Sequence, residues 1–88
     1  MLFRSFKAFY NRGKLRLKSE NTEGAIADLD KATSLKPEHP KAHEFFGDAL
    51  LKAGKEAEAA LQWRIAEELK KALSARGSTP GDDNKRDT

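Results

Sequence analysis

Displaced by 34 residues, this chain falls on itself. Gly13 lands on Gly47, Ala25 on Ala59, Ala32 on Ala66, Lys7 on Lys41 and Phe9 on His43. Three residues before the second alanine, one copy has Leu29 and the other Trp63. A period of this size means that one supersecondary unit is used twice, and that neither copy buries its apolar side without the other. Small residues recur where two helices would approach closely. Large ones (Phe9, Leu29, Phe46, Leu50, Trp63) fill what remains. A chain of 88 residues built this way is expected to form one small all-α domain with a thin interior.

Apolar spacing and the breakers between apolar stretches place the helices. The first is expected over about Phe3 to Lys18, with Phe6, Phe9, Tyr10, Gly13 and Leu17 on one side. Ser19-Glu20-Asn21-Thr22 forms the turn, Asn21 taking the left-handed conformation and Thr22 capping the next helix. The second helix is expected over about Glu23 to Leu35, burying Ala25, Ile26, Leu29 and Ala32. Pro37 stops it, and Pro40 stands where a first-turn proline is tolerated. The third helix, about Lys41 to Ala53, closes on Gly54 as a left-handed cap. The fourth begins near Lys55 and meets no breaker before Gly77, which makes it about two turns longer than the second. From Gly77 the sequence STPGDDNKRDT follows with no apolar residue, so residues 77–88 read as a disordered tail.

The segments FYNRG, GAIADLDKATSLKP and AHEFFGDALLKAGKEAEAA carry a family resemblance. Residues 6–39 and 40–73 resemble two consecutive tetratricopeptide (TPR) repeats. The resemblance implies two stacked antiparallel helix-turn-helix units over residues 1–76, a short right-handed α-solenoid whose first helices line a concave groove. It also implies which residues face that groove: Lys7, Tyr10, Asn11, Lys14, Leu17 and Lys18, then Lys41, Glu44, Phe45, Asp48, Leu51 and Lys52. Two features depart from the family pattern. The first turn lacks the glycine that many repeats have, and Arg12 and Arg16 stand where Leu and Tyr are common. Arginine methylenes lying on the core with the heads in water would account for the second departure.

Charge divides the chain. Before Glu20 there are Arg4, Lys7, Arg12, Lys14, Arg16 and Lys18 and no acid, whereas the rest is net acidic. A basic first helix attracts anionic partners. In co-chaperones resembling this chain, lysines and asparagines on the groove clamp a terminal carboxylate. Lys7, Asn11 and Lys41 match that pattern, but Phe45 replaces the second asparagine and no third repeat follows, so a full clamp is not expected. The looser expectation is a basic groove formed by Lys7, Lys14, Lys18, Lys41 and Lys52 around Tyr10, Phe45 and Leu51, taking an acidic peptide or partner helix.

Two further readings stay open. Leu61, Ile65, Leu69 and Leu73 form a ridge along the last helix, suited either to capping the stack or to pairing with another copy as a homodimer. The basic N-terminal helix, with Leu2, Phe3, Phe6 and Phe9, is the alternative for an anionic membrane surface or nucleic acid. His39 and His43 lie four apart but are separated by Pro40 and have no third ligand of suitable spacing, so no metal is expected. No cofactor motif and no catalytic constellation is present, and the expectation is a non-catalytic binding module. The chain has no cysteine, and it shows neither a signal peptide nor an apolar run of membrane-spanning length, which together read as a soluble cytoplasmic protein.

Overall fold

The computed structural model describes residues 5–77, and among these all regular structure is helical. Helix α1 spans Phe6–Lys18, α2 Thr22–Leu35, α3 Pro40–Lys52 and α4 Glu56–Gly77. Each helix packs on the next, and α1 also touches α3. The tail expected from Gly77 onward lies outside the described residues except for Gly77 itself, which continues α4.

Helix boundaries follow from local capping. Ser5 is extended and its hydroxyl accepts from the Ala8 amide at 3.3 Å, so α1 starts three residues later than the expected Phe3. His39 plays the same part for α3, its Nδ1 accepting from the Ala42 amide at 3.2 Å, with Pro40 in the first turn. The cap of α2 differs from expectation by one residue. Asn21, not Thr22, accepts from the Gly24 amide at 3.1 Å, and Thr22 is already helical. An Asx side chain at this position outcompetes the β-branched threonine one step on.

The left-handed residue also shifts. It is Glu20, at φ 67°, and not Asn21. Beyond α1 the Asn21 amide donates to the Arg16 carbonyl at 2.8 Å and the Glu20 amide to the Leu17 carbonyl at 3.3 Å. Beyond α3 the Lys55 amide donates to Leu50 and the Gly54 amide to Leu51, both at 2.9 Å. These are the two hydrogen bonds of a Schellman ending, made twice at positions 34 apart. The second copy fills the left-handed position with Gly54, at φ 83°. The first fills it with glutamate.

The interior is narrow. Ala25, Ala32, Ala42, Ala49, Ala59 and Ala66 are buried, and Leu29 is the one large side chain fully buried among the described residues. Tyr10, Leu17, Ile26, Phe45 and Phe46 close over Ala25, Leu29 and Ala49 where α1, α2 and α3 meet. Of the large residues expected to fill the interior, Leu50 is buried and Phe9 and Phe46 are half-buried. Trp63 is not enclosed. It remains 37% exposed because its ring lies across Gly47 at the edge of the α3–α4 contact.

Glycine sets the spacing at both helix crossings. A Cβ on Gly13 would sit 2.7 Å from Leu29 Cγ, and one on Gly47 would sit 2.5 Å from Trp63 Nε1. Overpacking costs ~1–3 kcal/mol, against ~1 kcal/mol gained from alanine's better helix propensity. Leu29 is enclosed and has nowhere to go, whereas the half-open Trp63 ring can shift, which leaves the Ala59 carbonyl oxygen at 3.1 Å as the remaining tight contact at Gly47. Gly13→Ala is therefore expected to destabilise the fold in urea titration, and by more than Gly47→Ala does. A neutral or stabilised Gly13→Ala would refute the close approach. Glu20→Gly is expected to raise stability by ~0.5–1 kcal/mol in the same titration. It relieves ~1–2 kcal/mol of left-handed strain while adding chain entropy to the unfolded state.

Candidate functional site

Chemistry concentrates where α1 runs beside α3. The rings of Phe6 and Tyr10 stack at 5.2 Å, one turn apart on α1. His39 tilts against both, at 4.8 Å and 5.2 Å, and Tyr10 meets Phe45 of α3 edge-on at 5.9 Å. This aromatic row joins the two helices. Lys14 lies over it, its ammonium 4.7 Å from the centre of the Tyr10 ring and 5.5 Å from that of Phe45.

Next to this row an open pocket of about 460 Å³ is lined by Asn11, Lys14, Leu15, Leu17, Lys18 and Phe45. Leu17 and Phe45 form its apolar floor, packed on the core beneath. Leu15, exposed on the rim, was not among the expected groove residues. The α1 periodicity carries it away from the aromatic row, and only the actual pocket shape brings it in.

The structure thus gathers Tyr10, Asn11, Lys14, Leu17, Lys18 and Phe45 of the expected groove set. It parts the remaining cations from them. Lys41 lies 3.9 Å from Glu44 on its own helix, and Lys52 lies 3.6 Å from Glu20. Glu44 also receives Lys70 of α4 at 2.7 Å, an attraction that raises the Lys70 ammonium above its ordinary value. Lys7 and Leu51 are exposed and do not line the pocket. The positive face is carried by α1, not spread evenly over both helices.

Arg12 and Arg16 are held differently from expectation. Their heads do not simply rest in water. Arg12 donates from Nε and Nη2 to the two carboxylate oxygens of Asp28, at 2.9 Å each, and Arg16 Nη1 lies 3.4 Å from Oδ2. Asp28 is only 3% exposed, so its charge requires this fork. In return the carboxylate raises the Arg12 guanidinium further above its already high value.

Both histidines carry structural bonds. Besides capping α3 through His39, the chain buries His43, whose Nε2 lies 2.8 Å from the Pro37 carbonyl and Nδ1 2.7 Å from the Gln62 amide oxygen. Among the described residues no group of three His, Asp or Glu side chains is placed to hold a metal ion. Of the basic interfacial reading, Leu2 and Phe3 lie outside the described residues, and Phe6 is taken up by Tyr10 and His39. Among the described residues no helix is long and apolar enough to cross a membrane. On the last helix, Leu61 and Leu73 are about half exposed, while Ile65 and Leu69 are half-buried.

No protein-family model matches the chain, and no curated protein matches it either.

Burial, and second the carboxylate of Glu44, hold the Tyr10 phenol above its usual pKa. Tyr10 is the single tyrosine of the chain, so its ultraviolet titration reads one group. The midpoint is expected above the ordinary tyrosine value, moving part of the way back in Glu44→Gln. Folding favours the neutral phenol. This contribution to stability is present below the ordinary tyrosine pKa and is lost as pH rises through the raised one. A midpoint at or below the ordinary value would contradict the placement of Tyr10.

Proposed function

We propose that this chain is a two-repeat tetratricopeptide protein that captures a short acidic peptide bearing an apolar side chain, without catalysis. Three pairs of features 34 residues apart support the repeat reading: the crossings at Gly13 and Gly47, the endings at Glu20 and Gly54, and the polar positions Asp28 and Gln62. The contact between α1 and α3 agrees with it, since the first helices of such repeats lie side by side along the concave face.

The observation that carries the binding reading is the pocket itself. An apolar floor of Leu17 and Phe45 is bordered by Lys14, whose ammonium lies over the Phe45 ring, and by Lys18, both lysines on a helix with no acidic residue. An apolar anchor desolvates on the floor while carboxylates on either side meet the lysines. Lys14 is already ordered over two rings, so little side-chain entropy is lost when it engages. Asn11 adds an amide that can either donate or accept at the pocket edge.

The test is titration of fluorescent peptides in which one Leu or Phe is flanked by Asp and Glu, followed by anisotropy. Affinity is expected to fall with added salt, as for charges within a Debye length of ~10 Å at 0.1 M. Lys14→Glu with Lys18→Glu is expected to weaken binding by at least tenfold (~1.4 kcal/mol) while leaving the thermal transition in place. Binding that is indifferent to both salt and charge reversal would remove the pocket from consideration.

A further inference from the structure

Helix α4 carries a second surface, independent of the groove. It has 22 residues against 13 in α3, or about 33 Å against about 20 Å. The two helices are joined by residues 53–55 alone, so the excess lies at the far end of α4. Leu61, Ile65, Leu69 and Leu73 are spaced by four along α4 and form one slanting ridge. Its two ends stay open to water, Leu61 at 54% and Leu73 at 47% exposure. Beside it runs a second row four apart, Arg64 and Glu68, both exposed. The ion pairs of the described residues use neither.

The geometry points to an antiparallel, two-fold pairing of α4 with α4 of a second copy of this chain. The ridge is self-complementary in that direction. Turned about its midpoint, it sets Leu61 against Leu73 of the second copy and Ile65 against Leu69, and the reverse holds for the other half. Ridges spaced by four interdigitate in the commonest class of helix packing. The charges choose the direction. In an antiparallel pair each edge meets the same edge running the other way, so Arg64 faces Glu68 of the second copy and Glu68 faces its Arg64. A parallel pair would turn that edge toward the opposite one, whose cation Lys70 already pairs with Glu44, and leave Arg64 without a counter-charge. A two-fold contact of this kind closes on itself and stops at a dimer.

Sedimentation equilibrium on the 88-residue chain, from about 10 µM to about 1 mM, tests the pairing. A monomer–dimer equilibrium is expected. Arg64→Glu and Glu68→Arg should each weaken it about tenfold, and the double reversal R64E/E68R should return it to within about threefold of the original. Mixing the two single variants should restore association as a heterodimer, which no folding defect would produce. Leu73→Asp, on the open end of the ridge, should abolish the dimer with the thermal transition unchanged. A monomer at every concentration would assign the ridge to some other occupant and overturn the proposal. So would a dimer indifferent to both charge reversals, or one that responds to Lys14→Glu and so forms through the groove.

Discussion

The fold depends on how closely the two helices of each pair can approach. At Gly13 and at Gly47 nothing larger than hydrogen fits between the backbone and the side chain crossing it, Leu29 in one case and Trp63 in the other. The rest of the interior follows from that distance. With helices so close, most buried positions admit only a methyl group, and the core is correspondingly made of alanines around Leu29 and Leu50. Such an interior removes little apolar area from water at ~25 cal/mol per Å². The caps, the two Schellman endings and the polar contacts between helices therefore weigh more here than in a thick-cored domain.

Those polar contacts occupy corresponding positions with different chemistry. Asp28 on α2 reaches α1, where Arg12 and Arg16 fork onto its carboxylate. Gln62, 34 residues later on α4, reaches α3, where His43 meets its amide. A buried carboxylate must be met by cations, which is why both departures from the apolar pattern on α1 are arginines. An amide imposes no such demand. Gln62 meets the His43 ring with an uncharged amide, its oxygen 2.7 Å from Nδ1. One polar position per helix pair, answered from the facing helix, fixes the register that an alanine interface leaves loosely specified.

Much of this was legible in the sequence, and the misses have two causes. Gly13, Gly47, Pro40 and Gly54 announce themselves because backbone conformation and close approach depend on residue type alone. The great length of α4 was readable from the lack of a breaker before Gly77. Where two adjacent residues compete for one role, the sequence is ambiguous by a step, as at Asn21 against Thr22 and at Glu20 against Asn21. What pairs with what was not legible. Arg12 and Arg16 read as arginines with their heads in water until Asp28 is seen beneath them. Lys41 and Lys52 read as groove cations until Glu44 and Glu20 are found beside them. The pocket residues of α1 other than Leu15 followed from the family resemblance, whereas cross-helix partners depend on how two helices pack.

The two edges of the domain are finished in unlike ways, and this separates the two proposed binding surfaces. Positions 11 and 12 of α1 correspond to positions 45 and 46 of α3. On α3 these are Phe45 and Phe46, which pack on the core formed with α2. On α1 they are Asn11 and Arg12, both exposed side chains, so α1 offers a polar edge where α3 offers an aromatic one. A helix stacking there would bury an amide and a guanidinium already committed to Asp28, at the cost that desolvating such groups carries. The α4 edge has no such polar substitution along its ridge, and it extends past the helix that would cover it. The proposed self-association is thereby directed to α4, away from α1. The lysine-lined pocket on α1 is left clear for the proposed ligand of opposite charge.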